Sequence, residues 1–163
     1  MNTSARFFSA RGGVSSYSPQ RAALSEGCAY ANVATLKGLF QAWNDALTSG
    51  DAERVAALYA RDAVLLPTFS ERVLQGREAI TDYFRNFLKQ RPQAVIGQHV
   101  AHVGCNMASD VGIYTFSVMD DAGLSREVAA RYSFLYRFQD GHWWILHHHS
   151  ALLPTPHVAL TVG

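Results

Sequence analysis

The feature that most constrains the fold is an Asp140-Gly141 pair between two runs of large side chains. An Asp-Gly pair favours a two-residue type I′ turn, because both turn positions take positive φ. The flanking runs, 126–139 and 142–152, are rich in aromatic residues and are predicted as antiparallel strands. A tight turn also fixes which residues stand opposite one another, so this hairpin predicts the two faces of a sheet.

The predicted register places Phe138 opposite Trp143, and alternation sends His148 to the face opposite His147 and His149. One face then carries Tyr132, Phe134, Tyr136, Phe138, Trp143, Ile145, His147 and His149. The other carries Arg131, Ser133, Leu135, Arg137, Trp144, Leu146, His148 and Ser150. Because both faces are too apolar for water, we expect one to pack on helices and the other to contact a second subunit. The predicted interface residues are Tyr132, Phe134, Tyr136, Trp143, His147 and His149.

Three helices are predicted before the sheet. The first has Asn32 as its N-cap and ends at Ser49-Gly50; Asp51 caps a second, shorter helix that includes Tyr59. The third follows Gly76 and ends before Pro92. Strands are predicted at 63–67, 94–104, 108–119, 126–139 and 142–152. This order predicts an α+β fold, with three helices covering one face of a mostly antiparallel sheet.

Charge and cysteine content exclude several classes of protein. The 14 Lys and Arg residues nearly balance 13 Asp and Glu, and no basic stripe for nucleic acid appears. No apolar run approaches the roughly 18 residues that would span a membrane. Cys28 and Cys105 fit neither a disulfide framework nor a zinc site, so we expect a buried or partly buried pair of thiols.

The chain divides into three predicted parts. Residues 1–31 form a flexible or targeting segment, because the first 27 residues carry arginines and serines with no acid before Glu26. That composition also resembles an organelle transit peptide, so the expected location is soluble, in the cytoplasm or in an organelle. Residues 32–155 form the folded domain, and residues 156–163 form a tail.

Arg131 is the most suggestive single residue, since an arginine within an aromatic strand needs a partner if it is buried. It could line a half-open cavity and bind a small carboxylate through its fork. It could instead form an internal salt bridge with Asp110 or Glu127.

Candidates for metal and acid–base chemistry are few. The run 147–149 leaves only two histidines on a shared face, and a third ligand would have to come from His99 or His102, so we expect no metal. Most carboxylates lie at caps or turns, which leaves Asp110 as the weak candidate for a catalytic base. No cofactor is expected, because no phosphate-binding loop is present.

Residues from about 34 to 154 resemble the association (hub) domain of calcium/calmodulin-dependent protein kinase II, within the nuclear transport factor 2-like superfamily. The resemblance lies in 40–47 (FQAWNDAL), 58–68 (LYARDAVLLPT), 112–116 (GIYTF) and 130–134 (ARYSF). Its most specific part is the closing block, 140–143 (DGHW) and 147–150 (HHHS). The resemblance implies a cone-shaped fold, with three N-terminal helices packed on a curved sheet.

The resemblance also implies self-assembly, because hub domains form dimers through their sheets and stack them into rings. The chain lacks kinase motifs, so a kinase-bearing hub chain is a possible partner and phosphotransfer is not expected. The cone implies a pocket for a small carboxylate, lined by Arg131, Tyr114, Trp43, Tyr83, His148 and Ser150. Thr115 and Ser150 stand where the hub has further arginines. A small-molecule enzyme of the ketosteroid-isomerase or SnoaL-like kind is the alternative, because it shares the cone fold.

Overall fold

The computed structural model describes residues 27–154, in which three helices precede or interrupt the sheet. The helices are α1 (Val33–Thr48), α2 (Ala52–Ala56) and α3 (Gly76–Phe87), and a 3₁₀ turn (Leu88–Gln90) follows α3. The Asn32 side chain accepts the Thr35 N–H, and the Asp51 side chain accepts the Arg54 N–H. Both predicted N-caps are therefore confirmed. No helix within 27–154 has the length and apolar character needed to cross a membrane.

The strands of the described chain form one sheet in the order β2-β1-β6-β5-β4-β3. They are β1 (Tyr59–Leu66), β2 (Leu74–Gln75), β3 (Gln93–Gly104), β4 (Met107–Met119), β5 (Ser125–Gln139) and β6 (His142–Leu152). All neighbouring strands are antiparallel except β1 and β6, which run parallel. The predicted α+β fold is confirmed.

Two of the element assignments differ from the sequence prediction. Strand β1 begins at Tyr59 rather than at residue 63, so Tyr59 belongs to the sheet and not to the second helix. Strand β2 was not predicted, because two residues are too few to give an alternating pattern.

The helices pack on one face of the sheet, here called the inner face. From α1 come the buried Leu36, Phe40, Trp43 and Leu47, and from α3 come Ile80, Phe84 and Phe87. The side chains that meet them include Tyr114, Phe116, Tyr132, Phe134, Tyr136 and Ile145. A side-chain bond joins the two layers, because Asn44 Oδ1 accepts the Ala94 N–H at 2.8 Å. We call the opposite side of the sheet the outer face.

The β5–β6 hairpin has the predicted turn. Asp140 and Gly141 take φ values of 53° and 76°, as a type I′ turn requires. The predicted register holds near the turn, where Phe138 pairs with Trp143 and Tyr136 pairs with Ile145.

Beyond that point the predicted register is wrong. A β-bulge inserts one extra residue in β6 between Ile145 and His147, so that Leu135 pairs with His147 and Phe134 pairs with His148. The shift exchanges the faces of β6 after the bulge, because side chains alternate with a period of two. His148 and Ser150 therefore lie on the inner face, and His147 and His149 lie on the outer face.

The predicted interface is also corrected. Tyr132, Phe134 and Tyr136 are each no more than 3% exposed, and they pack in the core instead of facing a second subunit. Trp143 is half-buried and contacts Phe138, with ring centroids 5.3 Å apart.

Cys28 and Cys105 form a disulfide, so the expectation of two free thiols is wrong. The Asn106 N–H donates to Ala29 O at 2.9 Å, and Asn106 Oδ1 accepts the Ala29 N–H at 2.8 Å. These bonds bring the β3–β4 turn to the residues that precede α1, a contact that a separation of 77 positions did not reveal. Residues 27–31 thus contact the sheet. The predictions for residues 1–26 and for the tail after 154 lie outside the described residues.

Candidate functional site

A chain of buried polar side chains connects α1 to the inner face. Trp43 Nε1 donates to Tyr59 Oη at 3.1 Å, and Tyr59 Oη lies 2.8 Å from His148 Nδ1. The other ring nitrogen, His148 Nε2, lies 3.3 Å from Tyr114 Oη. Phe134 stacks on the imidazole with ring centroids 4.0 Å apart. Each member is at most 3% exposed, so these polar atoms depend on one another for hydrogen bonds.

The donor and the acceptor of each hydrogen bond in this series follow from its first donor, the Trp43 indole. An indole N–H can only donate, so the Tyr59 oxygen accepts from Trp43 and its own proton is free for His148 Nδ1. A neutral imidazole that accepts at Nδ1 carries its proton at Nε2, and it donates that proton to Tyr114. This tautomer satisfies every donor from Trp43 to His148.

The pKa values of these groups argue against acid–base work near neutral pH. Burial, and to a lesser extent the neighbouring His147 and His149, lowers the pKa of His148 from 6.5 to about 3. Burial raises the pKa of Tyr59 and of Tyr114 well above their usual range, although hydrogen bonds with Trp43 and with Ser150 partly oppose the rise. A general acid or base works best with a pKa near the operating pH, so these hydrogen-bonded side chains fit a structural role better than a catalytic one.

The space beside these hydrogen-bonded side chains is almost filled. A cavity of about 10 Å³ remains where Thr68 and Ser150, whose hydroxyls contact each other, meet the aromatic side chains. Five of the six predicted pocket residues line it: Trp43, Tyr83, Tyr114, His148 and Ser150. A volume of this size holds about one water molecule. These predicted side chains therefore lie close together, and they fill most of the space between the helices and the inner face.

Arg131, the sixth predicted pocket residue, lies elsewhere. It is exposed on the outer face, where it pairs with Ile113 of β4 and Ala151 of β6. Tyr114 and Tyr132 point to the other side of the sheet, so Arg131 does not line the space that they fill. Within residues 27–154 Arg131 has no ion pair, which also corrects the alternative of a bridge to Asp110 or Glu127.

Asp110, the candidate base, is buried on the inner face with 1% of its surface exposed. Its Oδ1 lies 3.0 Å from His99 Nδ1 and accepts the Tyr132 hydroxyl at 3.3 Å. His99 is 43% exposed at its side chain, so the pair reaches solvent through the histidine. Asp110 does not line the cavity beside His148. Its position fits a buried carboxylate satisfied by two donors.

The outer face has a different character. Its strands carry half-buried apolar residues next to polar ones, and no helix of the described chain covers them. The apolar members are Val64, Leu66, Met107, Val111, Ile113, Met119 and Leu135, with Val95 and Val100 more exposed. His147 and His149, both predicted at an interface, lie on this face beside Ser133 and Leu135. Burial, and then the charge of His149, lowers the pKa of His147.

Sequence reasoning missed two groups of residues. Tyr59, the centre of the buried chain, was assigned to a helix because it follows the apolar Val55 and Leu58 at helical spacing. Arg61, Arg77 and Arg137 line a surface cavity that no local pattern indicated, because they come from three separate elements.

The chain is similar to known proteins in sequence and in structure. The family model of the calcium/calmodulin dependent protein kinase II association domain matches residues 32–154. A solved structure from Xanthomonas campestris, provisionally assigned as such an association domain, is 40% identical in sequence. That similarity covers 80% of this chain and 96% of the other, with a TM-score of 0.73.

More distant structures share the fold alone. An NTF2-like protein with a cystatin-like fold from Novosphingobium aromaticivorans is 16% identical, with a TM-score of 0.61 over 78% of this chain and 94% of the other. A provisionally assigned dehydratase of the NTF2-like family from Streptomyces avermitilis is 15% identical, with a TM-score of 0.67 over 76% and 97%. A comparison with curated proteins finds no match.

Proposed function

Because the chain belongs to the calcium/calmodulin dependent protein kinase II association-domain family, we propose that it associates with a second copy of itself through its outer face. The observation that carries this proposal is an apolar sheet face left without a covering layer in the described chain. A sheet normally buries at least one face, and apolar residues on both faces require a second partner.

The size of the outer face supports a stable pair. Five strands spaced about 4.8 Å apart and roughly ten residues long cover about 800 Å². That area is close to what each partner contributes to a standard interface, about 800 Å². The same surface on two copies gives a two-fold, self-complementary contact, which is the commonest symmetry in soluble oligomers. A second copy is therefore the partner we propose ahead of a kinase-bearing chain.

The composition of the outer face also fits an interface between independently folded subunits. Apolar Val111, Ile113 and Leu135 lie at its centre, and the exposed Arg131 and His149 lie among them. Such a mixture is typical of contacts formed after folding, whose overall apolar fraction resembles that of ordinary surface. The higher, ring-like assemblies of hub domains would need further contacts, and we expect them to be built from this pair.

The filled cone supports assembly over catalysis. An enzyme of the ketosteroid-isomerase or SnoaL-like kind needs room for its substrate, typically about 300 Å³ or more. The cavity beside His148 offers about 10 Å³. Its candidate base, Asp110, is bonded to His99 and Tyr132 and does not line that cavity. The same lack of room argues against a carboxylate ligand at the centre of the cone.

Light scattering coupled to size-exclusion chromatography tests the proposal at micromolar concentration. The expected mass is that of two 18.0 kDa chains or an even multiple of them. A single-chain mass would contradict the proposal.

Matched variants locate the contact. Val111→Glu places a charge at the centre of the outer face, so we expect at least a tenfold weaker association. Val33→Glu makes the same change on α1, at a residue 72% exposed, and should leave the mass unchanged. Val111→Thr keeps the branched shape and should still associate, which separates the charge from any loss of strand propensity. If Val33→Glu dissociates the protein and Val111→Glu does not, the contact lies on the helices instead.

A further inference from the structure

A cavity of about 380 Å³ opens where the start of β1, the first turn of α3 and the β5–β6 turn meet. Its charged and aromatic lining consists of Arg61, Asp62, Arg77, Arg137, Asp140 and Trp144. The volume lies within the range of small-molecule sites, about 300–1,000 Å³. Unlike the space beside His148, this cavity is open and lined mainly by charged side chains.

Arg77 is held in a fixed position at this cavity. Its Nε donates to Tyr59 O at 2.7 Å, and its guanidinium lies over the Trp144 ring, 5.1 Å from the centroid. Trp144 is itself anchored, because its Nε1 donates to Gln139 O at 3.1 Å. The terminal nitrogens of Arg77 have no acceptor among residues 27–154. A guanidinium ordered in this way loses little freedom when a ligand binds its remaining donors.

The charges of the lining favour an anion. Arg137 contacts both oxygens of Asp62, at 2.8 and 3.2 Å, so this acid is already engaged. Arg61 and Arg77 then face the single remaining acid, Asp140. The Nε of Arg137 is buried without an acceptor in the described chain. Asp62 therefore does not accept a hydrogen bond from every N–H donor of Arg137.

The first turn of α3 adds to this positive field. Arg77 is its second residue, and no side chain caps the N-terminus of this 12-residue helix. Uncapped N–H groups at a helix start carry partial positive charge, which stabilises a nearby anion.

We propose that this cavity binds the oxyanion group of a small organic acid or phosphate ester, with Arg77 and Arg61 as its principal contacts. A guanidinium offers two parallel N–H donors to the two oxygens of a carboxylate or phosphate. The proposal stands apart from self-association, since it rests on different residues and a different observation.

Tryptophan fluorescence reports on the site, because Trp144 contacts Arg77 directly. The whole chain is titrated with inorganic phosphate and, separately, with succinate, while sodium chloride keeps the ionic strength constant. We expect a saturable change in emission for at least one anion. The anion that binds more tightly shows whether the site prefers a phosphate or a carboxylate. No change, or a change that chloride reproduces, would overturn the proposal.

Variants assign the signal to the cavity. Arg77→Gln should weaken binding at least tenfold, and Arg61→Gln should weaken it several-fold without touching the Tyr59 contact. Arg126→Gln removes an exposed arginine outside the cavity and should bind normally. Trp144→Phe should abolish the optical change while calorimetry still detects the anion. Equal affinity in the wild type, Arg77→Gln and Arg61→Gln would contradict the assignment.

Light scattering on the same samples keeps the two proposals separate. We expect Arg77→Gln to retain the mass of the wild type while its anion affinity falls. A chain that binds phosphate as a monomer would support the cavity and contradict self-association. A dimer that binds neither phosphate nor succinate would support self-association and contradict the proposed anion site.

Discussion

The inner and outer faces of the sheet are made from alternate residues of the same strands, yet they differ in almost every physical respect. On the inner face Phe134 and His148 are buried and stacked, and the polar atoms from Trp43 to Tyr114 bond to one another. On the outer face Leu135 and His147 remain half-buried beside the exposed Arg131. Alternation alone separates these environments, so adjacent residues of one strand provide matched tests of what each face does.

The largest expected effect compares Phe134 with Leu135. Phe134 is 0% exposed and stacks on His148, so Phe134→Ala should lower the free energy of unfolding by about 3–5 kcal/mol. Leu135→Ala should lower it by about 1 kcal/mol or less in the single chain, because Leu135 is only half-buried when nothing covers the outer face. Urea unfolding in the Val111→Glu background, in which the proposed pair is dissociated, measures both. Similar losses for the two variants would mean that the faces are not energetically distinct.

A second prediction concerns the pH dependence of stability on the inner face. The pKa of His148 is about 3 in the fold and about 6.5 when unfolded, so only the unfolded state gains this proton between those values. Stability is therefore intact above about pH 6.5 and falls as the pH drops toward 3. Between pH 7.5 and 4.5 the loss from this group should be about 2–3 kcal/mol.

The same measurement on variants assigns that loss. His148→Gln should make the free energy of unfolding less dependent on pH between pH 7.5 and 4.5, whatever its effect on the stability at pH 7.5. His149→Gln changes an exposed histidine of the outer face and should keep the slope of the wild type. If both variants kept the slope, the buried imidazole would not be its source.

A third, smaller effect compares two tyrosines of the inner face. The Tyr136 hydroxyl is buried without a partner in the described chain, so Tyr136→Phe should leave stability unchanged or raise it by about 1 kcal/mol. Tyr132 donates to Asp110 Oδ1 at 3.3 Å, so Tyr132→Phe should cost about 1 kcal/mol. Thermal or urea unfolding measures the pair, and the opposite order would indicate that an unseen group satisfies Tyr136.

The smallest expected effect is at Arg131. In the dissociated Val111→Glu background, Arg131→Gln should change stability by less than about 0.5 kcal/mol, because the side chain is exposed in the single chain and has no ion pair in the described residues. A loss above about 2 kcal/mol would imply a buried partner and would erase the distinction between the faces at this position.

Much of the fold could be predicted because its signals are local. Asn32 and Asp51 cap helices through bonds to residues three positions away, and Asp140-Gly141 specifies its turn through its own φ angles. The residues that gather beside His148 were also identified, through the resemblance of their motifs.

The errors arose where distant or subtle interactions decide the outcome. A single extra residue at Leu146 reversed the faces of β6, and nothing in the run 145–149 marks a bulge, since any of its residues could be the unpaired one. Because the bulge was not foreseen, Arg131 was predicted on the same face as His148 and Ser150, and Tyr132 on the same face as His147 and His149. The disulfide and the cavity at Arg77 were missed because each joins residues far apart in sequence, brought together by the sheet alone.

The Cys28–Cys105 disulfide has a topological consequence. It closes the chain between these residues into a covalent ring that contains all three helices, β1, β2 and β3. A single protease cut inside the ring, for example in the exposed stretch 71–73, would leave both fragments joined. Such a nicked protein would migrate as one band on a denaturing gel without reductant and as two bands after reduction. One backbone break between β1 and β2 would therefore release no fragment from the domain.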